Sequence, residues 1–422
     1  MVVTWFCSDL PATLSKRHLQ SRERTINRII MKKVNVLQLV DSFGIGGAEK
    51  KLKELIEHMD SSRFDTTICN VGHGDKILDY FKDVGYPVIP IYRKYRLDPS
   101  PVWRLAHLIR QNRIDVIMTT LFYADFLGAL VGKRAGAKAV FSWETISSPE
   151  WLYPRRLYPY RAVIRNIDKV ISVSNATAKW LVDIRRVPEE MVQVIPYGVN
   201  LETYRRRQDD LRRQLNISPH DPVIGMVCRL HPQKGHVYLI EAAGRIIDKF
   251  PNVHFVLAGT GPLEQELKTQ VRAKGLESCF HFLGFCSDVV SVYSICDIFT
   301  LPSLYEGLPN VVLEAMAVSN PVVATPVDGT KEAVVDGETG ILVPVRDAQK
   351  LAEALIDLLS NPGKAKKMGE KSRERVEKHF SLTAQVKQFQ NLYEYYVNKN
   401  RYHNQDNHTS SMEEHIYTAV RD

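Results

Sequence analysis

The chain is poor in cysteine, and the cysteines it has form no pattern that suggests a metal or a redox pair. Cys7, Cys69, Cys228, Cys279, Cys286 and Cys296 are scattered through mostly apolar, strand-like contexts without a C-x-x-C pair, so they read as buried thiols rather than zinc ligands. No run of about 18 apolar residues is present, which leaves no candidate for a membrane-spanning helix. The opening MVVTWFC is short and lacks the basic start of an export signal, so the cytosol is the expected compartment. The Walker A phosphate loop is missing. No RNA- or DNA-binding motif accompanies the formal net charge of +8, so nucleic acid is not an expected partner. Anionic small substrates and an anionic membrane surface both remain compatible with that charge.

What is present is a soluble-type composition, 44% hydrophobic and 25% charged over 422 residues, long enough for two cores with a cleft between them. Residues 1–30 are mixed polar and basic without periodicity. A second methionine, Met31, opens the patterned region, so either methionine can be the start, and no chemistry is assigned to the extension. From residue 34, short apolar runs alternate with helical spacing: VNVLQLV, DTTICNV, PVIPI, DVIMTTL, AVFSW, KVISVS and VQVIPYG. Strands separated by helices require right-handed crossovers and a mostly parallel sheet. After a charged stretch near Tyr204–Arg213, the pattern restarts at PVIGMVCRL and continues through HFVLAG, CFHFLG, IFTLPS, PVVATPV and GILVP. The expected fold is α/β, with two doubly wound Rossmann-like domains facing across a cleft. The first domain spans 31–203 and the second 204–383, a helix near 384–400 packs back on the first, and 401–422 form a polar tail.

Ligands of such sheets bind beyond the carboxyl ends of the strands. After IFTLPS comes SLYEGLPNVVLEAMA, with Glu306 and Glu314 flanking Gly307, Leu308, Pro309 and Asn310. Gly permits close backbone approach and Pro suits a first helical turn, so exposed N–H groups there can hold a diphosphate or a sugar oxygen. Glu314, about one turn in, can accept from two ribose hydroxyls, and Glu306 can face the sugar. Taken alone, the pair reads equally well as two surface residues at a favourable helix start. After PVIGMVC, Arg229 and Lys234 flank a short loop before a helix; two cations there can neutralise a departing diphosphate without a divalent metal, or simply stand in solvent. Gly259 and Gly261 in LAGTGPLEQEL form a strand-to-helix turn of the kind that lies against a nucleotide. Gly44, Gly46 and Gly47 in DSFGIGGAEK allow close approach to a ligand or the facing domain, but do not complete the dinucleotide fingerprint G-x-G-x-x-G.

Together these residues resemble glycosyltransferase family 4, the retaining GT-B enzymes, over about residues 34–398. Arg229 and Lys234 match the family's diphosphate-binding pair, and Glu306 and Glu314 match its E-x7-E glutamates. GTGPLEQEL and VDGETGILVP match flanking segments, while ISVSNATA and IPYGVN place Ser174, Gly198 and Asn200 at the cleft by resemblance. The implied partners are a nucleotide-sugar donor and a glycan or lipid-linked acceptor, with no cofactor and no metal. Gly46, Gly47, Gly307, Leu308 and Asn310 join Arg229, Lys234, Gly259, Gly261, Glu306 and Glu314 as expected donor contacts.

The chain departs from the family at LFYADFLGA, where Tyr123 stands in the place of a histidine that contacts the donor sugar; its hydroxyl can make that contact. The resemblance implies attack from the leaving-group face, a phosphate oxygen taking the acceptor proton, and Glu306 positioning the sugar rather than forming an adduct. The segment WLYPRRLYPYRAVIRN mixes Arg155, Arg156, Arg161 and Arg165 with Trp151, Tyr153, Tyr158 and Tyr160. It suits an anionic membrane interface, or an ordinary solvated helix face with buried aromatics. Alternatives to transfer are a GT-B sugar-nucleotide epimerase or hydrolase, and a non-catalytic relative.

Overall fold

Strand β1 (Val34–Val40) is almost wholly buried, as a largely apolar run must be when helices cover both faces of a sheet. It pairs in parallel with β2 (Phe64–Asn70) and β4 (Val116–Thr120). With β3 (Val88–Pro90), β5 (Ala139–Glu144), β6 (Lys169–Ser172) and β7 (Val192–Val194) it forms a seven-stranded sheet in the order β3-β2-β1-β4-β5-β6-β7. The second half repeats the scheme with β8 (Val223–Val227), β9 (His254–Ala258), β10 (Phe280–Gly284), β11 (Ile298–Leu301), β12 (Val322–Ala324) and β13 (Gly340–Leu342), ordered β10-β9-β8-β11-β12-β13. This is a computed structural model, and it describes residues 33–41, 46–72, 76–82, 85–95, 98–208 and 210–402. The extension before Lys33, the tail beyond Tyr402, Gly44 and Cys7 lie outside the described residues.

The strand order reverses between β1 and β4 in the first sheet and between β8 and β11 in the second. These switch points leave crevices at the carboxyl ends of the strands, and the two halves bring them together. Every strand pairing is parallel, so each loop that follows a strand opens on this same side.

The last helix, Leu382–Tyr402, belongs to the first half. Phe389 meets the Trp143 ring at 5.3 Å and Tyr393 stacks on Phe141 at 5.9 Å. Phe389→Ala in this layer is expected to cost about 3–5 kcal/mol, as large-to-small changes in packed cores do. The chain thus crosses between the halves twice, and the crossings lie side by side: Val199 N donates to Phe380 O at 2.8 Å and Leu382 N to Val199 O at 3.1 Å.

Candidate functional site

The wall of the second half is made by two loops tied to each other. Beyond β8 the chain forms a short 3-10 turn, Pro232–Lys234, that ends in Gly235 at φ 72°. A Cβ there would lie 2.0 Å from Pro302 O, so glycine lets the turn press on the loop after β11. Gln233 Nε2 then donates to Tyr305 O and Leu304 N to Gln233 O, both at 2.7 Å. This bracing sets Lys234 Nζ 2.5 Å from Glu306 Oε1, an oxygen that also accepts from Ser303 Oγ at 2.7 Å. Glu306 N donates to Asp328 Oδ2 at 2.7 Å, and burial raises the pKa of that aspartate. Glu306 is buried, while Arg229 is exposed and its guanidinium has no hydrogen bond or ion pair among the described residues.

Gly259 and Gly261 have a packing reason to be glycine. A Cβ on Gly259 would lie 1.9 Å from Cys228 O, and one on Gly261 would lie 2.3 Å from Leu230 O. Both glycines therefore seat the loop after β9 against the loop that carries Arg229. The neighbouring Cys228 thiol is pushed up to about 12 by burial, and burial takes His236, 3.4 Å from that sulfur, down to about 4. Both groups are neutral and offer no nucleophile or base at neutral pH.

The helix Asn310–Ala317 begins after Pro309 with no side-chain cap, so its first N–H groups are available to a ligand. Leu308 is buried at its foot. Glu314, one turn in and buried, accepts from the Tyr293 hydroxyl at 2.8 Å through one carboxylate oxygen. Across the cleft, Asn310 Nδ2 donates to Gly47 O at 3.2 Å. Gly46 and Gly47 open the helix Gly47–Glu57, so two helix N-termini meet at this contact.

More contacts close the halves on each other. Gly307 bridges to Ile146, and a Cβ on Gly307 would lie 2.1 Å from Thr145 O. Gly307 is thus an interdomain contact as well as an expected donor contact. Ser174 caps the helix Asn175–Asp183 and its hydroxyl reaches Gly307 O at 3.3 Å. Glu332, from the second half, accepts from Asn175 N and Asn175 Nδ2 at 2.9 Å and from Ala176 N at 2.7 Å. Sequence reasoning missed Glu332 and Asp328, whose partners lie 157 and 22 residues away without a local signal, and Ser303, which reads as an ordinary loop serine three residues before Glu306. Gly198 and Asn200, expected at the cleft, sit at the crossover. Gly198 is sealed beneath Leu382, and Asn200 Oδ1 accepts from Glu202 N at 3.0 Å.

Tyr123 lies in the first turn of the helix Phe122–Ala135, after Leu121 at φ 74°. Its N–H donates to Asp41 Oδ2 at 3.2 Å, and the Arg93 guanidinium lies 4.1 Å over its ring. The aromatic and basic segment divides in two. Trp151 and Tyr160 turn inward with Trp180 to box the fully buried Arg185, at 3.7, 4.1 and 5.7 Å from their rings. Only Leu152, Tyr153 and Tyr158 of its large apolar side chains face solvent, beside exposed Arg155, Arg161 and Arg165. Arg185 pairs with Glu144 at the end of β5. Near them Asp125 accepts from Thr119 Oγ1 at 2.5 Å, and burial raises its carboxyl to about 7.

Among the described residues no three His, Cys, Asp or Glu side chains could share a metal ion, and no helix is long and apolar enough to cross a membrane. Cys69, Cys279 and Cys296 are buried; Cys228 and Cys286 are only partly so.

Comparison with known proteins agrees with this architecture. Glycosyltransferase Family 4 matches residues 45–203, and Glycosyl transferases group 1 matches residues 207–375. The alpha-D-kanosaminyltransferase of Streptomyces kanamyceticus is 30% identical over 64% of this chain and 73% of its own length. An Escherichia coli UDP-Gal:alpha-D-GlcNAc-diphosphoundecaprenol alpha-1,3-galactosyltransferase is 25% identical over 83% of this chain and 94% of its own. EpsD of Bacillus subtilis, 31% identical, aligns over 47% of this chain and 53% of its own length. Among solved structures, Anabaena HepE superposes with a TM-score of 0.77 at 24% identity, covering 85% of this chain and 99% of HepE. With both halves matched and relatives aligned across the cleft-forming domains, the chain belongs to glycosyltransferase family 4 and has the GT-B fold.

Proposed function

We propose that this chain moves a hexosyl or N-acetylhexosaminyl group from a nucleotide-sugar, a UDP-sugar foremost, to a glycan or lipid-linked acceptor with retention at carbon 1, in glycoconjugate or polysaccharide assembly. One observation carries the reading. The Lys234 ammonium, ion-paired with Glu306, and the Arg229 guanidinium, unpaired among the described residues, follow β8, and Glu306 directly precedes the turn into the uncapped helix Asn310–Ala317, where Asn310 meets the N-terminus of the helix Gly47–Glu57 at 3.2 Å. Two cations and two positive helix ends at the carboxyl-end side of these strands favour a diphosphate, and favour it more as it gains charge on leaving.

In the reaction the bond from carbon 1 to the diphosphate oxygen breaks, and a bond from an acceptor hydroxyl to carbon 1 forms on the same face. The hydroxyl proton passes to a phosphate oxygen. Lys234, Arg229 and the helix N–H groups take up the developing negative charge. Glu306, ion-paired with Lys234, orients the sugar, and Tyr123 offers its hydroxyl from the other wall. Glu314, braced by the Tyr293 hydroxyl, turns its carboxylate to the ribose, and Gly259 and Gly261 keep the nucleotide side of the loop low. These cations take the place of a divalent metal, so turnover should survive EDTA.

The names of two relatives support the acceptor and donor class: the Escherichia coli enzyme's names UDP-Gal and a diphosphoundecaprenol acceptor, and that of a Corynebacterium glutamicum enzyme names a phosphatidylinositol monomannoside. Tyr153 and Tyr158, among exposed arginines, suit peripheral docking on an anionic, cytoplasmic membrane face. Calorimetric titration of UDP, GDP and ADP with EDTA tests the donor site. Micromolar binding of one nucleotide that Lys234→Ala abolishes is the expected result; no binding to any would refute the proposal.

A further inference from the structure

The first half carries a cation that the donor chemistry does not use. Arg93 follows β3 on the carboxyl side of the first sheet. Its guanidinium lies 4.1 Å over the Tyr123 ring, and its Nε is buried without a hydrogen-bond partner. Tyr123 is itself fixed, because its N–H donates to Asp41 Oδ2 at 3.2 Å. The ring therefore holds the guanidinium at the crevice between β1 and β4, while its buried Nε stays without a protein acceptor.

Nearby carboxylates are engaged elsewhere. Asp98 accepts from Lys94 N at 2.7 Å, Ser100 N at 2.8 Å and Ser100 Oγ at 2.9 Å, which takes up its lone pairs within its own turn. Asp41 is held by Tyr123 N and has a further partner. The neighbouring Arg104 is likewise spent, donating to Pro90 O at 2.9 Å and Tyr92 O at 3.3 Å. Among the described residues Arg93 makes no ion pair, and its buried Nε has no hydrogen-bond partner. A guanidinium is always charged and presents a planar fork that fits tetrahedral oxyanions. An unpaired buried N–H is costly until a ligand fills it.

We propose that Arg93, held against the Tyr123 ring, binds a phosphate group on the acceptor and so sets acceptor specificity. This rests on the reading of the first half as the acceptor side. It makes Arg93 a specificity residue on the first half, whereas the diphosphate cations Arg229 and Lys234 belong to the second. The phosphate can belong to a lipid headgroup or to a free polyol or sugar phosphate, which share the same chemistry.

The test fills the donor site with saturating nucleoside diphosphate and follows sn-glycerol 3-phosphate by proton NMR line broadening, with glycerol as the uncharged control. Wild type and Lys234→Ala should bind the phosphate ester, the latter examined without nucleotide. Arg93→Gln should weaken binding roughly tenfold to a hundredfold, as loss of a charge-assisted pair does, and Arg93→Lys should restore part of it. Co-sedimentation with vesicles containing phosphatidic acid identifies the source: an Arg93-dependent gain over phosphatidylcholine vesicles assigns a lipid phosphate, and its absence beside soluble binding assigns a free one. Equal binding by wild type and Arg93→Gln, or no binding to either probe, overturns the proposal. Failure of the nucleotide itself to bind would instead count against the transferase reading.

Discussion

Glu332 caps a helix of the opposite half, and its removal should loosen closure by a calculable amount. Its carboxylate accepts three hydrogen bonds, at 2.9, 2.9 and 2.7 Å, from Asn175 N, Asn175 Nδ2 and Ala176 N. A side-chain cap is worth about 0.5–2 kcal/mol, and a negative charge at a helix N-terminus adds about 0.3–1 kcal/mol. The contact is partly open to water, so solvent screening holds the sum to about 1–2 kcal/mol. Glu332→Ala should therefore lower the ratio of closed to open molecules by roughly 5- to 30-fold. Glu332→Gln, which keeps one acceptor and loses the charge, should fall between. Small-angle scattering with and without nucleotide reads the closure, and the thermal midpoint of the isolated fold should barely move. A scattering profile for Glu332→Ala that matches wild type at every nucleotide concentration would refute the argument.

Further outcomes follow from other contacts. Gly307→Ala places a methyl where Thr145 O lies 2.1 Å from the ideal Cβ, so turnover should drop at least tenfold while calorimetric nucleotide affinity changes little. Arg185→Met strands Glu144 in the core and should cost about 3–5 kcal/mol in denaturant unfolding; adding Glu144→Gln should recover much of the loss. Asp125 has its folded pKa raised by burial from an ordinary 3.8 to about 7. The folded state therefore holds a proton that the unfolded state has released, and this contribution to stability, full below the ordinary value, is lost as pH rises towards 7. Asp125→Asn should flatten the fall in stability across that window in pH-dependent melts.

The strands were legible because burial on both faces favours largely apolar runs, and runs such as VNVLQLV and PVIGMV are short and spaced by helical stretches, as buried strands are. Glu306, Lys234 and Arg229 were legible because they follow strands, where a parallel sheet always opens its crevice. The sequence does not reveal which surfaces meet. Glu332 and Asn175 are 157 residues apart, and no periodicity links a helix start in one half to a carboxylate in the other. The same limit applies to Trp151 and Tyr160. Spaced along a basic helix they suit a membrane, yet a buried cation supplied by Arg185 draws them inward. Gly259 and Gly261 advertised a tight turn, whereas the carbonyls of Cys228 and Leu230 that dictate it lie on another strand's loop.

The return of the last helix to the first sheet has a consequence for how the chain is made. Residues 223–342 form their sheet from a contiguous stretch, so the second half can finish its core as soon as it leaves the ribosome. The first half is synthesised earlier yet completed later. Trp143, Phe141 and Phe64 await Phe389 and Tyr393, which emerge only after the whole second half. A nascent chain therefore carries an uncovered aromatic face through most of its synthesis. A premature stop just before Leu382 would leave the protein with Glu306 and Glu314 in place and its oldest domain unfinished.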